Sequence, residues 1–259
     1  MNIVFQGDSI TDTGRNRNSG ERWNALGAGY PLFTAARILN DFPDREINFY
    51  NRGIGGDKVT DLLSRWRRDT INLRPDILTI FVGINDIWHE DLEGNGTDID
   101  TYEECYRMLL KKAYDSNPDI KVILIEPYWA KAGVPHPEWP RLISERSRVI
   151  EKLASEFHVT AVVHTQDIID EALTKRDGFY WTYDGVHPSE AGHQLIADSL
   201  IPIIESIMEE KAEIHVEKAP SEPSLEIGIG DLSDKDGKLT PIGISFINNV
   251  VIPYMKKNW

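Results

Sequence analysis

The chain has 259 residues, 41% of them hydrophobic, and a formal net charge of −14 at pH 7. That length suits one sizeable core, or one domain with an appendage. The charge repels phosphodiester backbones and anionic lipid, so nucleic acid and membrane surfaces are excluded as expected partners, and a small neutral substrate is favoured.

The opening run "NIVF" is β-branched and aromatic and reads as a buried strand ending at Gly7. It hands over to "GDSITDTGR", which places Ser9 where a strand meets the next element. Ser9 is there either as a helix cap or as a nucleophile. A helical pattern follows in "PLFTAARILNDF", then a strand in "EINFY" (46–50) that leads into Asn51-Arg52-Gly53-Ile54-Gly55-Gly56-Asp57. These glycines let backbone approach a ligand and present N–H groups, but G-x-G-x-x-G is absent, so they are no dinucleotide fingerprint.

The next helix, "KVTDLLSRWRRDTI", carries "WRR" at 66–68, which reads as an exposed face. The strand "DILTIFV" (76–82) ends at Gly83-Ile84-Asn85-Asp86; the Asn85 amide there either donates to an oxyanion or forms an Asx-turn. Cys105, the single cysteine, lies in a helical pattern as a small buried residue and cannot form an intrachain disulfide.

Strands are next expected at "IKVILIE" (120–126) and "VTAVVHT" (159–165), separated by the helix "RLISERSRVIEKLASEFH". Tyr183-Asp184-Gly185-Val186-His187-Pro188 follows, with Asp184 and His187 three residues apart, a spacing that lets carboxylate and ring nitrogen meet in one turn. A final helix from Ser189 closes the unit at about Glu210.

Strands alternating with helices predict a parallel sheet covered on both faces, with its ligand crevice at the carboxyl ends of the strands. The domain reading is 1–210 for this unit and 211–259 for a linker or extension rich in Pro, Gly, Ser and charge. The extension ends in "ISFINNVVIPYM", an apolar stretch able to add a strand or cover another subunit. The chain opens directly into a strand, and "ILTIFVGI" is too short to cross a bilayer, so a cytoplasmic protein is expected. The histidines and acids show no metal-ligand spacing, and no metal or other cofactor is expected.

Taken together, "GDS", "GIGG", "GIND" and "DGVH" lie in that order at the expected active edge, and the chain resembles the SGNH (GDSL) hydrolase family over residues 1 to roughly 210. Within it, "GDSITDTGR", "ALGAGY", "NRGIGGDKVTDLLSRW" and "VGINDIW" look most like the acetyl-xylan esterase branch of bacterial carbohydrate esterases. The resemblance implies a flavodoxin-like three-layer α/β/α sandwich with a five-stranded parallel sheet, Ser9 as nucleophile, His187 as base and Asp184 as its orienting acid. It further implies an oxyanion hole of the Ser9 and Gly56 N–H groups with the Asn85 side chain, and a homo-oligomer by analogy.

Arg15, Trp88 and Tyr183 adjoin these blocks and are the expected acceptor-site residues, with aromatics stacking on a sugar and Arg15 bonding to hydroxyls. The competing readings are a lysophospholipase or thioesterase of the same fold, and a non-catalytic carbohydrate-binding protein. The first needs an apolar channel, whereas "TDTGRNRNSGERWN" and "HEDLEGNGTD" are polar. Because the extension lies outside the catalytic blocks, truncation after Glu210 is expected to leave ester hydrolysis per folded chain intact while altering assembly. Light scattering and acetate-ester turnover of the truncated protein check this.

Overall fold

The computed structural model describes residues 1–18, 24–133 and 136–218, of which 211–218 are described by backbone alone. The chain forms two units, Met1–Glu210 and Lys211–Trp259. The first is described below; of the predicted extension only 211–218 are described, as the end of the last helix, and its apolar end lies outside the described residues.

Five parallel strands form one sheet: β1 (Asn2–Gly7), β2 (Asn48–Asn51), β3 (Ile77–Phe81), β4 (Lys121–Ile125) and β5 (Ala161–Val163). Their order is β2-β1-β3-β4-β5, with every pair parallel. The side-chain period of two sends each strand's apolar residues to both faces. Ile3, Phe5, Ile77, Phe81, Ile123 and Ile125 pack on one face, and Val4, Leu78, Ile80, Val122 and Leu124 on the other.

The first face is covered by α2 (Tyr30–Asp41), α7 (Thr165–Leu173) and α9 (Glu190–Lys218), through residues such as Ile38, Ile169, Ile196 and Leu200. The second is covered by α3 (Val59–Asp69) and α5 (Ile99–Ser116), through Leu62, Trp66, Tyr106 and Leu109. Helix α6 (Trp139–Phe157) serves both, giving Ile143 to the first cluster and Ile150 and Leu153 to the second. The result is the three-layer sandwich expected from the alternation.

Register places the functional edge. Gly7 lies opposite Phe81, Phe81 opposite Ile125, and Ile125 opposite Val163, so the carboxyl ends of four strands finish level. The chain leaves β1 toward β2 on one side and returns through β3 on the other. That reversal opens a crevice between the β1 and β3 ends. Ser9 follows β1 and Asn85 follows β3.

Several local expectations change. Helix α1 (Ser9–Asp12) is a single turn, and Asn85 belongs to α4 (Ile84–Glu93) and not to a turn. Helices α4, α7 and α8 (Gly178–Trp181) were not foreseen as elements of their own. Trp66 is 1% exposed, so "WRR" is not a uniformly exposed face; its tryptophan fills the core beneath α3. The last helix continues past Glu210 to Lys218 despite Pro202 in its interior. No described helix is long and apolar enough to cross a membrane.

Candidate active site

The cap of α1 is Asp8, whose side chain accepts from the Ile10 N–H at 2.9 Å. Ser9 is thereby released from capping and becomes the first helical residue, with its hydroxyl turned to the crevice. Its Oγ lies 2.9 Å from His187 Nε2, across a sequence separation of 178 residues. His187 Nδ1 lies 2.7 Å from Asp184 Oδ2.

The other oxygen of Asp184 accepts the backbone N–H groups of Val186 (2.9 Å) and His187 (2.8 Å). Burial pushes the Asp184 carboxyl up, but the bonds from His187 and from these two amides outweigh it and leave it below the usual range. An ionised Asp184 holds the proton on Nδ1 and leaves Nε2 to accept from the Ser9 hydroxyl.

The loop that carries this pair is fixed on all sides. Tyr183 N–H donates to His187 O at 2.8 Å and Ala130 N–H to Gly185 O at 2.8 Å, while the buried Tyr128 hydroxyl donates to Val186 O at 2.6 Å. Gly185 has φ +95, and a Cβ there would meet Ala132 O at 2.3 Å, so glycine is required by both conformation and space.

The residues expected to form an oxyanion hole follow β1, β2 and β3 in turn. The loop after β2 packs so closely on Ser9 that a Cβ at Gly55 would stand 3.7 Å from the Ser9 Cβ. Gly56 follows in the left-handed region at φ +87. Neither the Ser9 nor the Gly56 N–H has a protein acceptor among the described residues. Asn85 is 6% exposed and spends one amide hydrogen on Asp57 O at 3.1 Å, which orients the second.

The acceptor-site expectations divide. Trp88 packs beside the His187 ring at 5.8 Å between centroids, backed by Trp139 at 5.5 Å. Tyr183 is 61% exposed at the rim, with its hydroxyl on Glu190 Oε2 at 2.9 Å. Arg15 is different: its side chain is 6% exposed, and its Nε donates to Gly53 O at 2.8 Å. It acts as a strut under the glycine loop, so bonding of Arg15 to substrate hydroxyls finds no support in its placement.

Two residues escaped the sequence reading. His89 lies one turn after Asn85, with its Nε2 4.0 Å from where a Gly56 Cβ would stand; the i, i+4 spacing from Asn85 was the available signal. Arg65, 8% exposed, donates to Gly7 O, Arg52 O, Gln6 Oε1 and Asp57 Oδ2. His193, buried against Tyr30, accepts the Tyr30 N–H at 3.2 Å, and burial lowers its pKa to about 4, so it stays neutral.

Behind the hydroxyl the floor holds two buried acids, Asp8 and Asp86. Burial, reinforced by repulsion from Asp86 and Asp57, pushes Asp8 up to about 7, and burial pushes Asp86 up to about 6. A carboxyl whose folded pKa is raised keeps its proton while the unfolded chain has lost it, so it costs stability as pH rises from about 4 to 7. Asp8→Asn preserves the cap acceptor and removes that cost. The variant is therefore expected to gain on the wild type by about 2–4 kcal/mol between pH 4 and pH 8. Urea unfolding at both pH values measures it; an unchanged difference would mean that Asp8 ionises normally.

Comparison with known proteins shows the family. The model of the GDSL-like lipase/acylhydrolase family matches residues 5–195. An acetylxylan esterase of Geobacillus stearothermophilus is 34% identical over 205 residues, covering 77% of this chain and 91% of that one. A solved structure of an acetylxylan esterase from the same organism superposes with a TM-score of 0.71 at 33% identity, covering 78% and 93% of the two chains. A GDSL-like lipase candidate from Parabacteroides merdae superposes with a TM-score of 0.74 at 37% identity, covering 78% and 94%. The chain is a hydrolase of the GDSL-like lipase/acylhydrolase family.

Proposed function

We propose that the protein is a serine esterase that removes short acyl groups, acetyl above all, from small carbohydrate esters such as acetylated xylo-oligosaccharides. The observation that carries this reading is the relay from Asp184 Oδ2 to His187 Nδ1 at 2.7 Å and from His187 Nε2 to Ser9 Oγ at 2.9 Å. Further support comes from the Geobacillus enzyme, for which alanine variants of a serine, and of an aspartate and a histidine three positions apart, are described as catalytic mutants.

In the proposed cycle, Ser9 Oγ forms a bond to the ester carbonyl carbon as its proton passes to His187 Nε2. The carbonyl π electrons move onto oxygen, where the N–H groups of Ser9 and Gly56 and the Asn85 amide receive them. Collapse breaks the bond to the sugar oxygen, which takes the proton from His187 and leaves an acyl-Ser9 ester. Water then attacks the acyl carbon, again giving its proton to His187, and the acid departs as Ser9 is reprotonated.

Ser9→Ala is expected to stay folded and to lose about 10⁴-fold or more in kcat. Asn85→Ala is expected to lose about 10²–10³-fold in kcat with a smaller change in KM. Steady-state kinetics on a p-nitrophenyl acetate substrate read both. Large residual turnover in folded Ser9→Ala would remove the nucleophile assignment, and an effect confined to KM would make Asn85 a binding residue.

What surrounds the hydroxyl supports this substrate class. Trp88 beside His187 and the exposed Tyr183 offer aromatic faces to a sugar ring. An ester series from acetate to octanoate, run beside acetylated xylo-oligosaccharides, is expected to show acetate preference and acetate release. Equal or faster octanoate turnover without acetate release from any saccharide would favour the lysophospholipase or thioesterase reading.

A further inference from the structure

We propose that Arg65 is the positioning residue of the oxyanion hole: one buried guanidinium on α3 that holds the Ser9, Gly56 and Asn85 donors relative to one another and so sets kcat without touching substrate. The proposal rests on the esterase reading of the Ser9 site. Arg65 is 8% exposed, so any effect it has on the reaction passes through the groups it holds.

Each donor lies a short path from that guanidinium. Nη2 donates to Gly7 O at 3.2 Å, and Gly7 leads through Asp8 into the Ser9 N–H. The same carbonyl accepts the Ile54 N–H at 3.1 Å, so the end of β1 and the glycine loop meet at one acceptor. Nε donates to Asp57 Oδ2 at 2.6 Å, one residue after Gly56, and Asp57 O takes the Asn85 amide at 3.1 Å. Nη1 donates to Arg52 O at 2.8 Å and to Gln6 Oε1 at 2.9 Å, which adds the start of the glycine loop and the body of β1.

The helix that carries the arginine is tied to Asn85 a second way. Helix α3 begins at Val59, whose N–H lies 3.2 Å from both carboxylate oxygens of Asp86, the residue after Asn85. Gln6 is oriented from its other end, with its amide donating to Asp69 O at 3.0 Å and Thr70 Oγ1 at 2.7 Å, which leaves its oxygen to Arg65. Three chain segments that bring one donor each therefore share α3 as their common reference.

Stability alone gives no reason for a charge in this place, since well-packed apolar residues often replace a buried ion pair at no loss. Geometry does give one. Donors must stand about 2.7–3.1 Å from the position of the developing oxyanion, and a misplacement of about 1 Å costs about 10²-fold in rate. A lysine has the charge but not the planar fork, so it would hold fewer of the four acceptors at once.

Steady-state hydrolysis of p-nitrophenyl acetate by the full chain tests the role, with circular dichroism reporting the fold of each variant. Arg65→Ala is expected to lose about 10²-fold in kcat and Arg65→Lys about 10-fold or more, each with KM within about 3-fold of wild type. Asp57→Ala, which removes only the Nε acceptor and leaves Arg65 in place, is expected to lose about 10-fold in kcat and carries the same test should the arginine variants unfold. Arg68→Ala, exposed on the same helix, is expected to keep wild-type kcat. In an Asn85→Ala background, Arg65→Lys and Asp57→Ala are each expected to cost at least about 3-fold less than in the wild type, because a donor already removed cannot be misplaced; a residue that only stabilised the fold would give multiplicative losses. Wild-type kcat in a folded Arg65→Lys or Asp57→Ala variant, an effect confined to KM, or fully multiplicative losses with Asn85→Ala would each overturn the positioning role. Absence of wild-type turnover, or turnover that survives in Ser9→Ala, would instead overturn the esterase reading, and this proposal with it.

Discussion

The geometry around Ser9 depends on one buried cation. Arg65 reaches from α3 under the sheet edge and donates to the Gly7 carbonyl at 3.2 Å, the Arg52 carbonyl at 2.8 Å and Asp57 Oδ2 at 2.6 Å. It also meets Gln6 Oε1 at 2.9 Å within β1. One planar group thus locks the end of the serine strand to the loop that carries Gly56, and Asp57 in turn receives the Asn85 amide. A guanidinium suits this task because its donors are fixed in a plane, whereas a lysine would supply one mobile point charge. Two separate chain segments approach to van der Waals distance only because this cation satisfies the carbonyls they would otherwise bury unpaired.

The remaining close contacts follow from that clamp. A Cβ at Gly53 would stand 2.3 Å from the Asp12 N, so the glycine loop lies directly on α1. Asn51, 2% exposed, stitches the same junction by donating to Leu26 O at 2.8 Å and accepting from Gly53 N–H at 2.9 Å. Arg15 closes it from the other side through Gly53 O. In the proposed mechanism, donors held this way would need no reorganisation when charge develops on a substrate oxygen. Burial raises the two acids beneath them, Asp8 to about 7 and Asp86 to about 6, so each gives up its proton less readily than an exposed carboxyl.

Much of this was legible in the residues. Apolar runs such as "DILTIFV" and "IKVILIE" could be read as buried strands because both faces of a parallel sheet are covered, and three of the chemical blocks, "GDS", "GIGG" and "GIND", stood where β1, β2 and β3 end. Trimmed ends, such as β5 at Ala161–Val163, reflect pairing that stops where β4 ends. What was hidden is nonlocal. Asn85-Asp86 reads as a turn because both residues favour one, yet Gly83 at φ +143 re-aims the chain into α4 and the Asp86 carboxylate takes up the Val59 N–H of a distant helix. Arg65 stands in "SRWRRD", where charge reads as surface, and its partners come from residues up to 59 positions away.

The 178-residue separation between Ser9 and His187 also sets when the molecule becomes competent during synthesis. At about 5–20 residues per second, roughly 10–35 s pass on the ribosome after the serine is made before its histidine exists. Strands β1 to β5 can pair in that interval, but no nascent intermediate carries a complete relay. On the proposed mechanism, a chain interrupted anywhere before the Asp184 loop lacks its base however well its sheet has formed, so hydrolysis would serve as a timer for completion of the first unit. On the same mechanism, turnover during refolding would report closure of the Ser9–His187 contact, distinct from the optical signals of helix and sheet.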